Sequence, residues 1–312
     1  MELKEGQKIY NSCEPYQHDV AILKNYNGKY KLTLHKTLKT KGLEIDRHYS
    51  PKGTVNDEKL DVNIIRAKSR IVELVLCNDW EWFFTITLDP KKYDRYDLEK
   101  FKKDFGQFVR DQRKKIKADI KYLVVPEEHS NGGWHMHGFL MGLNPSELRL
   151  FSLKEKLPYY ILDKLKKGQE VYEWMAYRKK FGFNDFEKIH NQTAAAFYVT
   201  KYITKDLART VKESGAHLYY CSQGLRRSEE VKRGSLSPSS SVSWQYENDY
   251  IATTWLDDSV DSEIMSLIKD NLILEHISIN ELRKQVKEEN RYNRFLNGFD
   301  EVIEGENPFS DQ

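Results

Sequence analysis

The chain has 312 residues, 39% of them hydrophobic and 31% charged, which describes a polar globular protein with room for one large domain or a domain with appendages. No apolar run approaches the roughly 18–20 residues of a membrane helix. The N-terminus MELKEGQKIY lacks a basic-then-apolar secretory pattern, and Cys13, Cys77 and Cys221 are too scattered for a disulfide framework or a CxxC zinc pair, so a reducing cytoplasm is the expected location.

The net charge of +2 averages two unlike parts. From Glu247 onward sixteen Asp/Glu face six Lys/Arg, whereas residues 1–246 hold 44 Lys/Arg against 32 Asp/Glu. A basic body with an acidic tail suits a polyanionic partner, although charge blocks of this kind also serve simply as solvated faces.

In chain order, residues 1–60 are expected to be irregular and partly β. Alternating stretches such as Lys29–His35 are punctuated there by Asn-Gly and Pro-Lys-Gly turns. Val62–Cys77 has helical spacing at Ile64, Ile65, Ile71, Leu74 and Val75. Trp82–Leu88 is a β-branched and aromatic run closed by Asp89-Pro90, a buried strand. Asp97–Lys115 places Leu98, Phe101, Phe105, Phe108 and Val109 at helical spacing with a basic opposite face.

Lys121–Pro126 and Trp134–Met141 are two further strands, separated by a Ser-Asn-Gly-Gly turn. The sequence does not place residues 146–190. Thr193–Arg209 is expected to be one continuous helix, and His217–Cys221 a fourth core strand. Ser235–Ser243 is the best linker candidate, followed by an acidic helical segment over 262–296. These elements predict an α+β domain with a central antiparallel sheet, helices on one face and the other open to substrate. The expected boundaries are 1–60, 61–234 for the main domain, and 235–312 for linker and C-terminal helical region.

Within Trp134-His-Met-His-Gly138, strand geometry turns His135 and His137 to one face and Met136 to the other. Two neutral imidazoles side by side make a poor sheet surface but half of a metal site, and Gly138 permits close approach of a backbone or ligand. The turn folds the preceding strand back onto His135, which brings Glu127, Glu128 and His129 within reach as a third ligand. A carboxylate beside two imidazoles with open positions favours Mg²⁺ or Mn²⁺. Taken alone, a His-X-His on a strand is more often an exposed pair than a ligand pair.

Tyr198 and Tyr202 stand four apart on the expected helix, with Lys201 and Lys205 each three beyond a tyrosine, so all four share roughly one face. Nearby ammonium groups would favour the phenolate of a residue whose ordinary pKa is about 10. An amphipathic helix with half-buried tyrosines is the ordinary alternative.

Three segments in order, Phe83–Pro90, then Glu127 with His135-Met-His-Gly138, then Tyr198-Val-Thr-Lys-Tyr-Ile-Thr-Lys205, resemble the motifs of HUH-type rolling-circle replication initiators. The likeness is closest to the phage- and plasmid-type proteins with two tyrosines. It covers roughly residues 80–227, including His217–Leu225, and does not extend to the flanking regions. The resemblance implies a divalent cation held by His135, His137 and a third residue, for which Glu127 matches best. It also implies that Tyr198 attacks the scissile phosphate to leave a 5′-phosphotyrosine, that Tyr202 is the second tyrosine, and that Lys201 and Lys205 are flanking catalytic lysines. The implied fold resembles a ferredoxin- or RRM-like core, and the implied function is nicking and rejoining origin DNA in rolling-circle replication. A relaxase or single-strand transposase would use the same chemistry. An inactive DNA-binding module would need neither the histidines nor the tyrosines.

Twelve Lys/Arg lie between Lys91 and Lys121, and Arg113, Lys114 and Lys115 are the first candidates for phosphate contacts, with Arg226 and Arg227 next. Trp134 and the tyrosines at 159–160 and 219–220 are candidates for stacking unpaired bases. No Walker A motif is present, so the expected partners of a single-stranded or hairpin origin complex include a host helicase and polymerase.

Overall fold

A computed structural model describes residues 7–9, 16–18, 20–36, 43–45, 57–129, 131–213, 215–236, 242–248, 251–256, 262–269 and 273–275. The described residues of Lys52–Arg226 form one compact unit, and those of Met1–Pro51 and Arg227–Gly298 form another.

In the first unit the elements are α1 (Asp57–Leu76), β1 (Trp82–Thr87), α2 (Leu98–Ile116), β2 (Lys121–Glu128), β3 (Trp134–Met141), β4 (Leu148–Leu150), α3 (Tyr159–Lys166), β5 (Tyr172–Trp174), α4 (Met175–Lys180), β6 (Asn184–Lys188), α5 (Gln192–Thr200), α6 (Lys205–Glu213) and β7 (Tyr220–Cys221). The strands form one antiparallel sheet in the order β7-β2-β3-β1-β6-β5-β4. The fold is α+β, as expected. The fourth core strand is not: only Tyr220 and Cys221 pair, at the edge of β2. The unplaced stretch supplies β4, β5 and β6 instead.

Helices cover both faces, not one. Asp97 caps α2 by accepting from the Lys100 amide at 2.9 Å, and Leu98, Phe101, Phe105, Phe108 and Val109 form its buried stripe. Phe105 meets Phe84 and Tyr122, and Phe108 meets Tyr177 of α4, which assigns α2 to the face carrying Phe84. On the opposite face Phe83 meets Tyr198 of α5 edge-on at 5.6 Å. Helix α5 begins at Asn191, whose side chain accepts from the Ala194 amide, and its fully buried Ala195 and Ala196 allow α1 to pack closely.

The expected single helix over 193–209 is broken. Lys201, Tyr202 and Ile203 donate backbone bonds three residues back rather than four, and the Thr204 hydroxyl then accepts from the Leu207 amide to start α6. Competition from Thr200, whose hydroxyl donates to the Phe197 carbonyl, helps end α5.

The second unit is a six-stranded antiparallel sheet of Tyr246–Glu247, Ile251–Leu256, Lys29–His35, Val20–Tyr26, Glu229–Leu236 and Ile268–Lys269, in that order. The Asn27-Gly28 turn joins its first hairpin with both residues at positive φ. Ala21, Leu23, Leu32 and Ile268 form its core. This arrangement departs from the expected boundaries. Segments from 1–60 and 235–312 share one sheet, and Ser235 and Leu236 lie in a strand rather than a linker. Of the expected helical region only Ser262–Leu267 is helical, and residues 276–296 lie outside the described residues.

Candidate functional site

Strand alternation builds the site on the α5 face. In register, Asp185 of β6, Thr85 of β1, His137 of β3 and Val125 of β2 lie in one row across the sheet, with Thr87, His135 and Glu127 in the next row. Glu128 pairs with Trp134 and is thereby turned to the α2 face, which removes it from the third-ligand candidates. Gly138 sits between Phe84 and Val124 so closely that a Cβ there would lie 2.0 Å from the Leu123 carbonyl oxygen. The close approach is therefore to backbone.

Four donors crowd together at one end of these strands. His137 Nε2 lies 2.6 Å from Glu127 Oε2, and His137 Nδ1 lies 3.2 Å from the Thr85 hydroxyl. His129 stacks on His135 at 3.8 Å, with its Nε2 4.0 Å from Glu127 Oε2. The hydrogen bond with His137 holds the Glu127 carboxyl below the ordinary carboxylate value, against the opposing effect of burial. Burial first, then the neighbouring His129 and His137, pushes His135 down to about 4. His135 is thus a neutral imidazole and Glu127 an anion at neutral pH.

Among the described residues no three His, Cys, Asp or Glu side chains form a ready-made metal cage, because these donors are hydrogen-bonded and stacked onto one another. Their chemistry nevertheless fits a divalent cation: neutral imidazole and ionised carboxylate are the ligand forms required.

The broken helix delivers the tyrosines. The Tyr202 ring lies parallel on His137 at 4.0 Å, and its hydroxyl stands 3.5 Å from that of Tyr198, with the rings 6.0 Å apart and edge-on. Lys201 Nζ sits over the Tyr198 ring at 3.5 Å and over the Tyr202 ring at 4.9 Å. The expected lowering of the tyrosine pKa is reversed at Tyr202, whose pKa burial raises well above the ordinary value, reinforced by its bond to Tyr198 and by Glu127 and Asp185. Lys205 is not brought to this face. Beyond the helix break it makes an ion pair with Asp61 of α1 at 3.0 Å.

The expected DNA-contacting residues are dispersed. Arg113 donates to the Ile120 carbonyl and to the Ser222 hydroxyl, tying the end of α2 to the sheet. Lys114 and Lys115 are on α2, across the sheet from His135. Arg226 pairs with Asp79 at 2.6 Å and is held by Asn78, beside the start of β1 rather than its Thr87 end. Arg227 is exposed and belongs to the other unit. Trp134 is 5% exposed, turned to the α2 face, and its indole N–H donates to the Tyr96 carbonyl. Burial removes it as a base-stacking platform, whereas Tyr159 is 81% exposed.

Three residues of the site were not picked out from the sequence for this role: Thr85, Asp185 and Tyr160. Asp185 is buried and accepts from the Tyr160 hydroxyl at 2.9 Å. The signal in the sequence is weak, a polar residue alternating with Phe in Phe183-Asn-Asp-Phe-Glu187.

Residues 81–207 match the family model of the ORF2-type replication-associated proteins. The matched span contains the histidine pair, Glu127 and both tyrosines, and it supports a role in the initiation of replication. No curated protein and no solved structure matches the chain. Among the described residues no helix is long and apolar enough to cross a membrane.

Proposed function

We propose that the chain is a replication initiator that nicks and rejoins single-stranded origin DNA, in the manner of the two-tyrosine HUH endonucleases. The observation that carries this reading is the parallel contact of Tyr202 with His137, with the Tyr198 hydroxyl alongside. A helix and a strand distant in sequence bring a pair of nucleophile candidates against a histidine–carboxylate cluster.

In this reading Glu127, His135 and His137 hold a divalent cation, Mg²⁺ or Mn²⁺, with His129 adjacent. When bound, the cation would polarise the scissile phosphate and stabilise charge on its oxygens. The Tyr198 oxygen attacks phosphorus, the bond from phosphorus to the 3′ oxygen breaks, and a 5′-phosphotyrosine and a free 3′-hydroxyl remain. The hydrogen bond donated by Tyr202 stabilises negative charge on the Tyr198 oxygen, which favours Tyr198 as the first nucleophile. Lys201 fixes the Tyr198 ring and adds positive charge beside it. Tyr202, kept protonated by burial, serves the second transfer once the strand occupies the site. Lys205 has a supporting role through α1, and a host helicase and polymerase act after the nick.

The test is incubation of the purified chain with end-labelled single-stranded origin DNA from its own locus, with Mn²⁺ or EDTA, followed by denaturing gels and mass spectrometry. A Mn²⁺-dependent adduct on Tyr198, lost in Tyr198→Phe, is the expected result. DNA binding without cleavage under every metal tried refutes the enzymatic reading.

A further inference from the structure

A buried carboxylate stands one strand behind the histidine pair. Asp185 is 2% exposed, and its partners are hydroxyls rather than a facing cation: the Tyr160 hydroxyl donates to its Oδ1, and Thr85 also donates to it. Thr85 lies directly between Asp185 and His137 in the register of three adjacent strands, and its hydroxyl oxygen is 3.2 Å from His137 Nδ1. On the far side His137 Nε2 meets Glu127 at 2.6 Å. Tyr160-Asp185-Thr85-His137-Glu127 is one line of polar contacts across β6, β1, β3 and β2. Burying a carboxylate costs several kcal/mol unless its hydrogen bonds compensate, so a residue serving packing alone would be apolar here. Burial accordingly pushes the Asp185 carboxyl up to about 7, opposed by the Tyr160 and Thr85 bonds and by Lys164, and abetted by Glu187.

The hydrogen count along this line has one outcome when Asp185 is ionised. A carboxylate only accepts, and Thr85 has a single hydroxyl hydrogen, which it gives to Asp185. Toward His137 the Thr85 oxygen can then only accept, so Nδ1 must carry the imidazole proton. The Nε2 lone pair is left facing Glu127, where two electron-rich atoms 2.6 Å apart call for a proton or a cation between them.

We propose that Asp185, acting through the Thr85 hydroxyl, is a positioning residue that commits His137 Nδ1 as donor and presents Nε2 as the metal-facing atom. The inference rests on the metal site of the proposed function. Such outer partners of a ligating histidine govern metal affinity by about 10–100-fold. Tyr160 completes the arrangement with its own hydrogen bond to the carboxylate.

The experiment compares wild type with Asp185→Asn, Thr85→Val and Thr85→Ser in the full chain at pH 8. Mn²⁺ affinity is read by titration calorimetry, and the protonation of the His137 ring by ¹⁵N–¹H correlation on the metal-free protein. Asn can donate to Thr85 and so reverse the line, forcing the proton onto Nε2. Val keeps the shape and removes the hydroxyl, and Ser keeps the hydroxyl. The expected result is Mn²⁺ binding weakened about 10–100-fold in Asp185→Asn and Thr85→Val and within about threefold of wild type in Thr85→Ser. Nδ1 should be protonated in wild type and lose that preference in the first two variants. Folded variants that bind Mn²⁺ as wild type does, with the same ring protonation, overturn the inference and leave the metal site standing. A wild type that binds no Mn²⁺ refutes the metal reading instead. The ring protonation then still decides whether Asp185 and Thr85 orient His137.

Discussion

Gly138 is where the packing of the site strands can be tested most sharply. Replacing it with Ala puts a Cβ 2.0 Å from the Leu123 carbonyl oxygen and 2.8 Å from Val124 Cα. Both are backbone atoms of β2, so no rotamer change relieves the clash. β2 and β3 must part by more than about 1 Å from an ordinary spacing of about 4.8 Å. Overpacking that side chains can absorb costs about 1–3 kcal/mol, and this contact should reach about 3 kcal/mol or more. In a domain of this size that corresponds to a fall in Tm of about 6–12 °C. Gly106 is the internal control. It lies inside α2, where an added methyl meets its nearest atom, the Tyr122 hydroxyl, at an ordinary 3.5 Å. Gly106→Ala should gain about 0.5–1 kcal/mol from helix propensity. Calorimetric melting of both variants decides the matter. If Gly138→Ala melts within about 2 °C of wild type, far below the expected fall, the argument from backbone approach is wrong.

Trp134→Phe removes the indole bond to the Tyr96 carbonyl, so unfolding in urea should show a loss of about 1 kcal/mol while single-strand affinity stays unchanged. A tenfold loss of DNA affinity with unchanged stability would restore Trp134 as a stacking platform. Lys205→Ala breaks an exposed ion pair worth at most about 1 kcal/mol and should leave the cleavage rate within about twofold. Lys201→Ala, which strips the cation from both tyrosine rings, should slow single-turnover cleavage at least tenfold, and equal effects of the two would contradict this geometry. His135 in the folded chain titrates near 4 against about 6.5 when unfolded, so between these values the unfolded chain binds more protons and stability rises with pH. Glu127, depressed in the folded chain, acts in the same direction below its unfolded value. Melting should therefore fall as pH drops from 6.5 to 4, and less steeply in His135→Gln; parallel curves would contradict the assignment to His135.

Much of this unit is legible in local patterning. The run Trp82–Thr87, the alternation through His135 and His137, and the stripe from Leu98 to Val109 each match the period of the element formed, because burial of one face is decided by residue spacing. The fold class and the juxtaposition of Glu127 with His135 follow from the same rule, since a short turn fixes the partner strand. The hairpin at Asn27-Gly28 is readable for a similar reason: few residues accept its backbone.

Other features depend on contacts between distant segments, about which spacing is silent. The break after Thr200 looks like uninterrupted helix in sequence, yet tertiary packing of Tyr202 on His137 and capping by Thr204 override propensity. Trp134 and His135 are neighbours in sequence but lie on opposite faces, so only the position of α2 shows which of them is buried. Asp185 has no local signature that points to a site. Its meaning arises because β6 pairs with β1 and β1 with β3, which sets a carboxylate behind a histidine 48 positions away in sequence. The sheet shared by Val20–Tyr26 and Glu229–Leu236 is likewise a matter of long-range pairing. What the sequence determined alone is most of the elements and the two chemical motifs, because periodicity and turn chemistry act over a few residues. Which side chains meet, and which hydroxyl stands between an acid and a histidine, was decided by strand register and helix packing between residues far apart in the chain.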